Sequence, residues 1–194
     1  MTSICLVRHG ETDWNVAKRL QGKTDIPLNK NGIWQSHKCG EYLQASEWDI
    51  IVTSPLKRAK QTAELINENI KILLLEMDEF VERGFGDAEG MTKQECIQKF
   101  PNKIYPNQEE TEDFHRRVMS GIEKINESFK GKKVLLVAHG AVINAILAIL
   151  SNGEIGSGKT ILLNTCISNI HFIQEGWKIK DYNQIAHLLE MERR

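Results

Sequence analysis

Apolar and polar positions alternate along the chain between two kinds of segment. Four short, nearly unbroken apolar runs, Ile4–Val7, Asp49–Thr53, Lys71–Met77 and Val134–Ala138, read as buried strands of a parallel sheet. Between them the apolar residues recur at three- and four-residue spacing. Asn29 can cap a helix whose face carries Ile33, His37, Gly40 and Leu43, with His37 packing inward. Ser54-Pro55 offers an N-cap and a proline at the first helical position for a helix continuing through Leu56, Ala59, Ala63 and Ile66. Thr92 to Phe100 predicts a short helix ended by Pro101. Phe114, Val118, Ile122, Ile125 and Phe129 predict a long one that stops near Gly131. A hydrophobic helix follows from Ala141, and two strands, near Thr165–Gln174 and Gly176–Lys180, close the pattern with the second at an edge. Val16 to Leu28, punctuated by Gly22 and Pro27, is expected to be a loop. Strands alternating with helices give an α/β fold: a three-layer α/β/α sandwich around a mainly parallel central sheet.

At 194 residues the chain suits a single domain, 1–194, with a substantial core. Lys and Arg total 25 against 26 Asp and Glu, a net charge of -1, so no general basic field attracts nucleic acid and any affinity for anions is local. The four cysteines are scattered without CxxC pairing, which indicates neither a zinc site nor a disulfide framework and suits a reducing cytoplasm. The longest nearly apolar run, Ala141 to Leu150, is far short of the roughly 20 residues of a spanning helix. With no leader pattern at the N-terminus either, the expectation is a protein of the cytoplasm, away from membranes. The pattern leaves the oligomeric state open.

Three apolar strands deliver polar groups at their carboxyl ends, the rim where open α/β sheets bind ligands. The first ends in Arg8-His9-Gly10: a cation, an imidazole able to act as nucleophile, and a residue that lets the backbone approach closely. Arg58 follows the second, in the first turns of its helix, where the helix dipole adds to its charge. His139-Gly140 ends the third. A proton donor is offered by the acidic, glycine-rich segment Asp78–Gly90, where chemistry alone leaves Asp78, Glu79, Glu82, Asp87 and Glu89 open.

The stretch from Arg8 through Thr12 and Asn15, with Thr53-Ser-Pro-Leu-Lys-Arg-Ala-Lys-Gln-Thr-Ala63 and His139-Gly140, resembles the histidine phosphatase superfamily, which includes the cofactor-dependent phosphoglycerate mutases. The resemblance spans essentially the whole chain. It implies a phosphoglycerate mutase-like fold in which His9 takes up a phosphoryl group, held by Arg8, Arg58 and His139, with Asn15 and the backbone of Gly10 and Gly140 completing the cage. Gln21 and Gly22 occupy the place where the family's loop touches substrate, though Gln21 is equally compatible with a surface turn. The family's acid precedes two glycines by four and eight residues. Glu82 has Gly86 and Gly90 at those offsets and is selected, with Glu89 the weaker alternative. The tail Asn183–Leu188 resembles the family's ending, where His187 is structural.

The function so implied is hydrolysis of small phosphorylated metabolites through a phosphohistidine on His9, with Glu82 as general acid and base and neither metal nor cofactor required. A mutase is the nearest alternative. Glu82-Arg83-Gly84-Phe85-Gly86 followed by Lys93 resembles the mutase segment that binds phosphoglycerate, with Phe85 where tyrosine is usual. Against it, only Gln94–Gln108 separates Lys93 from the long helix, whereas mutases insert a longer segment carrying an adjacent arginine pair. Arg116-Arg117 lies inside the following helix and, with His115, reads as a polar helix face. A third reading is an inactive module that binds phosphorylated ligands.

Gly153-Glu-Ile-Gly-Ser-Gly-Lys159-Thr160 fits the G-x4-G-K-[ST] nucleotide-binding pattern. A working loop of that kind needs a strand before it and a helix after it; here the pattern predicts the reverse.

Overall fold

The computed structural model describes residues 1–174 and 176–189. One six-stranded sheet runs in the order β3-β2-β4-β1-β5-β6, formed by β1 (Ser3–Arg8), β2 (Ile50–Thr53), β3 (Leu74–Glu76), β4 (Lys133–Ala138), β5 (Ile167–Ile173) and β6 (Gly176–Gln184). β1, β2, β3 and β4 are mutually parallel where they pair, while β5 runs antiparallel to β1 and β6 antiparallel to β5. β1 and β4 lie at the centre with Arg8 opposite Ala138, so the next residues of the two strands, His9 and His139, leave the sheet side by side. The backbone N–H of His9 still donates to Ala138 O at 2.9 Å.

Helices cover both faces. Alternation along β1 sends Ile4 and Leu6 to the face covered by α5 (Thr111–Ser128) and α6 (Gly140–Leu150), and Cys5 and Val7 to the face covered by α2 (Lys30–Leu43) and α3 (Lys57–Ile70). Each fully buried Leu or Ile in these two cores stabilises the fold by roughly 1.5–3 kcal/mol. Two short helices, α1 (Asp13–Val16) and α4 (Lys93–Lys99), pack at the carboxyl-end rim, where Arg19 bridges to Thr92, and α7 (Ala186–Leu189) follows β6. No helix among the described residues is long and apolar enough to cross a membrane.

Three local expectations are corrected. Asn29 does cap α2, its Oδ1 accepting from Gly32 N at 2.8 Å, but the buried stripe is Gly32, Ser36, Cys39, Gly40 and Leu43. Ile33 is exposed, and His37 faces Glu68 at 3.7 Å at the surface. Small residues take the inside because the backbone of Glu11 and helix α3 come too close for larger ones: a Cβ on Gly32 would stand 2.1 Å from Glu11 O. Helix α3 starts at Lys57, two residues late, because Leu56 stays extended (ψ 134°) and becomes the N-cap; the Ser54 hydroxyl accepts from Leu56 N at 3.3 Å and also meets His139 Nε2. The third strand shrinks to Leu74–Glu76 because Lys71 takes a left-handed conformation and the Asn67 side chain closes a turn onto both backbone groups of Ile72.

Candidate active site

His9 emerges from β1 into a covered space and is only 2 % exposed, so it is not the open rim side chain its position suggests. Its Nδ1 lies 2.7 Å from Gly10 O. A carbonyl oxygen can only accept, so Nδ1 carries the proton and Nε2 presents a lone pair. Burial, followed by the charges of Arg58 and Arg8, holds the imidazole well below its ordinary pKa, and these outweigh the opposing bond to Gly10. Gly10 is pinned by the bond from its N–H to Thr62 Oγ1 at 2.9 Å, and a Cβ there would stand 2.5 Å from Gly32 O. The chain can place His9 here only with glycine next to it.

Two guanidinium groups flank this ring. Arg8 donates Nη1 to Leu162 O at 2.6 Å, and fully buried Arg58 donates Nη1 to Thr24 O at 2.9 Å and Nη2 to Gly22 O at 2.8 Å. Burial lowers both pKa values, yet guanidinium stays charged at any relevant pH. His139, at the N-cap of α6, has its ring centroid 5.3 Å from that of His9 and its Nε2 2.8 Å from Ser54 Oγ. Burial, followed by Arg58, His9, Arg8 and Arg117, pushes it well below the ordinary imidazole range. Arg8 Nε, Arg58 Nε and His139 Nδ1 are buried without any hydrogen-bond partner. Unpaired buried polar groups cost about 1–3 kcal/mol each, and two guanidinium N–H groups among them beside one imidazole suit an anionic ligand. Gly140 keeps its side of Arg8 clear, since a Cβ there would reach within 3.5 Å of Nε.

Glu82, 8 % exposed, accepts from Arg83 N at 2.9 Å through Oε1 and from Ala141 N, in the first turn of α6, at 3.1 Å through Oε2. Burial raises its pKa against the pull of those two bonds and of Arg58 and Arg8. Glu89, the other acid considered, is spent: Lys23 N, Thr24 N, Thr24 Oγ1 and Phe85 N all donate to its carboxylate at 2.6–3.0 Å. It ties the Gly22–Thr24 loop, and through it Arg58, to the segment bearing Glu82. Gly22 holds φ +53° in that loop, and a Cβ on it would meet Glu89 Oε1 at 2.0 Å.

Gln21 is buried, not a surface turn, and its Oε1 accepts from Thr12 Oγ1 at 3.0 Å, which leaves its amide group to donate. Asn15 closes a capping box on Thr12 and accepts from Asn164 Nδ2 at 3.3 Å. Asn164 also bonds His9 O at 3.0 Å, a contact that nothing in the residue pattern announces. Thr12 enters the sequence reading only through the family resemblance, and its capping of α1 is seen in the structure. Ser54 and Thr62 lie in the Thr53–Ala63 stretch, but nothing in it announces that they fix His139 and Gly10. The Gly153–Thr160 loop follows α6, and no helix begins at Lys159, so the arrangement that would cradle nucleotide phosphates is absent there.

Residues 4–185 match the family model described as histidine phosphatase superfamily (branch 1). The chain is 54 % identical to the Bacillus subtilis (strain 168) protein named Uncharacterized phosphatase PhoE, over 97 % of each chain. It is 32 % identical to a protein of Arabidopsis thaliana named Metal-independent phosphoserine phosphatase, over 97 % of this chain and 84 % of that one. The solved structure of Bacillus stearothermophilus YhfR superposes with a TM-score of 0.90 at 27 % identity, over 97 % of this chain and all of the other. The chain belongs to the histidine phosphatase superfamily.

Proposed function

We propose that this chain is a phosphatase that hydrolyses small phosphate monoesters through a phosphohistidine on His9 Nε2. The observation that carries the reading is the set of three buried, unpartnered nitrogens, Arg8 Nε, Arg58 Nε and His139 Nδ1, around an imidazole whose Nε2 lone pair is free. The family and the relatives named as phosphatases support it.

In the first step Nε2 attacks phosphorus, the P–N bond forms and the ester P–O bond breaks. Protonated Glu82 gives its proton to the leaving alkoxide. In the second, ionised Glu82 takes a proton from water, the hydroxide attacks phosphorus, the P–N bond breaks, and phosphate leaves with His9 neutral again. Arg8, Arg58 and His139, with Asn15, Gln21 and the backbone of Gly22 and Gly140 near them, hold the equatorial oxygens while charge builds. Monoester hydrolysis can require accelerations approaching ~10²¹-fold, on the order of 20 kcal/mol or more, so covalent division, cage and acid must all contribute.

The mutase alternative rests on Arg83 and Lys93, and their surroundings weigh against it. Arg83 is engaged with Glu109 O and Thr111 Oγ1, and Lys93 lines a cavity with Lys18, Ile97 and Phe100. Gln94–Gln108 forms α4 and a turn against Asp87, without an added covering segment. Inorganic phosphate release from 3-phosphoglycerate, measured beside its isomerisation with 2,3-bisphosphoglycerate present, tests the reading. Release should dominate, and faster isomerisation would establish a mutase. An inactive module is disfavoured because residues suited to the roles of nucleophile, cage and acid are all present.

A further inference from the structure

Glu82 sits in a segment with no sheet partner. β3 ends at Glu76 and Glu82 lies between two single 3-10 turns, Asp78–Phe80 and Gly86–Ala88, so strand pairing does not place its carboxylate. Helix α5 grips that segment instead. Arg117 donates Nη1 to Glu79 O and to Val81 O, each at 2.8 Å, and its Nε and Nη2 pair with the Glu109 carboxylate at 3.0 and 2.9 Å. Glu109 Oε2 accepts from Gly84 N at 3.1 Å, and Glu109 N donates to Gly84 O at 2.9 Å. One ion pair therefore holds residues 79 and 81 before Glu82 and residue 84 after it. Both partners are largely covered, their side chains 24 % and 14 % exposed, so water competes weakly for the pair. Gly121 lets α5 close on the same segment, since a Cβ there would stand 2.7 Å from Glu79 Cβ and 2.8 Å from the Phe80 ring.

We infer that Arg117 and Glu109 are positioning residues that fix the Glu82 carboxylate against the N-terminus of α6, at the distance its proton transfer needs. The inference rests on Glu82 as the acid. Neither residue contacts His9, Arg8, Arg58 or His139 by hydrogen bond, and Arg117 reaches the phosphate cage only through its charge, the smallest of the influences on His139. Losing the clamp is expected to misplace the acid and to spare phosphate binding. A displacement on the order of 1 Å costs roughly a hundredfold in rate where proton transfer limits turnover.

The test compares an alkyl phosphate, whose leaving group needs a proton, with p-nitrophenyl phosphate, whose leaving group does not, in Arg117→Met, Arg117→Lys, Glu109→Gln, Glu82→Gln and Glu82→Gln/Arg117→Met. Arg117→Met should lower kcat for the alkyl ester roughly tenfold to a hundredfold, with KM and the aryl rate within about twofold, and Arg117→Lys and Glu109→Gln should lose less in the same pattern. In the double variant the Arg117 loss should vanish, because the group it acts through is gone. Equal loss on both esters, additive losses in the double variant, or no loss would overturn the clamp. If Arg117→Met does not fold, Glu109→Gln decides alone. If Glu82→Gln itself slows both esters equally, the acid assignment falls and the clamp with it, an outcome distinct from failure of the clamp alone.

Discussion

His139 Nε2 and Ser54 Oγ stand 2.8 Å apart, the hydroxyl drawn from the end of β2 and the imidazole from the end of the neighbouring β4. The bond orients a histidine whose Nδ1 is left buried and unpaired. Ser54→Ala should leave Nε2 without a partner and destabilise the fold by about 1–3 kcal/mol, with KM for phosphate esters raised. Urea denaturation and steady-state kinetics check this, and unchanged stability together with unchanged KM would show that the bond does not orient the ring.

Glu82→Gln should slow esters with poor leaving groups by about 10²–10⁴-fold and activated aryl phosphates much less. Rates for a leaving-group series read this directly. A uniform loss would mean that the carboxylate serves only the fold or the cage.

Stability should fall as pH drops below the ordinary imidazole value. Burial lowers the pKa of His9, His139 and His187, the last to about 4, so each binds a proton more readily in the unfolded chain. The unfolded state then holds more protons below about pH 6.5, and the stability these groups contribute above that pH is lost as it falls toward their folded values. For His187 the window runs from about 6.5 to about 4. Melting temperatures across pH 7 to 4 should decline, and a flat profile would contradict the burial of these rings as neutral groups.

Lys159→Ala should leave turnover unchanged, because Lys159 bonds Gly153 O within its own loop. A chelator should be equally silent, since the proposed cage consists of side chains and backbone groups of the chain itself. Loss of activity from either treatment would contradict the proposed chemistry.

Much of this was legible because strand ends carry the chemistry. Arg8-His9, Arg58 and His139-Gly140 each follow a run of β-type residues, and β1 beside β4 puts the two histidines in contact. What the residue pattern could not show depends on pairings across the fold. His37 shares the helical spacing of core residues yet faces water, because a stripe of small residues brings α2 closer along a different face. Arg117 reads as one charge of a polar helix face, and only the packing of α5 against Glu79–Gly84 reveals its partners. Glu89 and Glu82 are chemically alike. The carboxylate surrounded by four donors is an anchor, and the one held by two backbone amides beside the arginines is the one proposed to exchange a proton.

The most direct test of the central claim is rapid acid-free quenching of the protein during turnover of a phosphorus-labelled monoester, followed by peptide mapping of the bound label. The account predicts an acid-labile, alkali-stable phosphoryl group on His9, up to one per chain, that is absent from His9→Ala. Turnover without any such label under single-turnover conditions, or label on another residue, would contradict it.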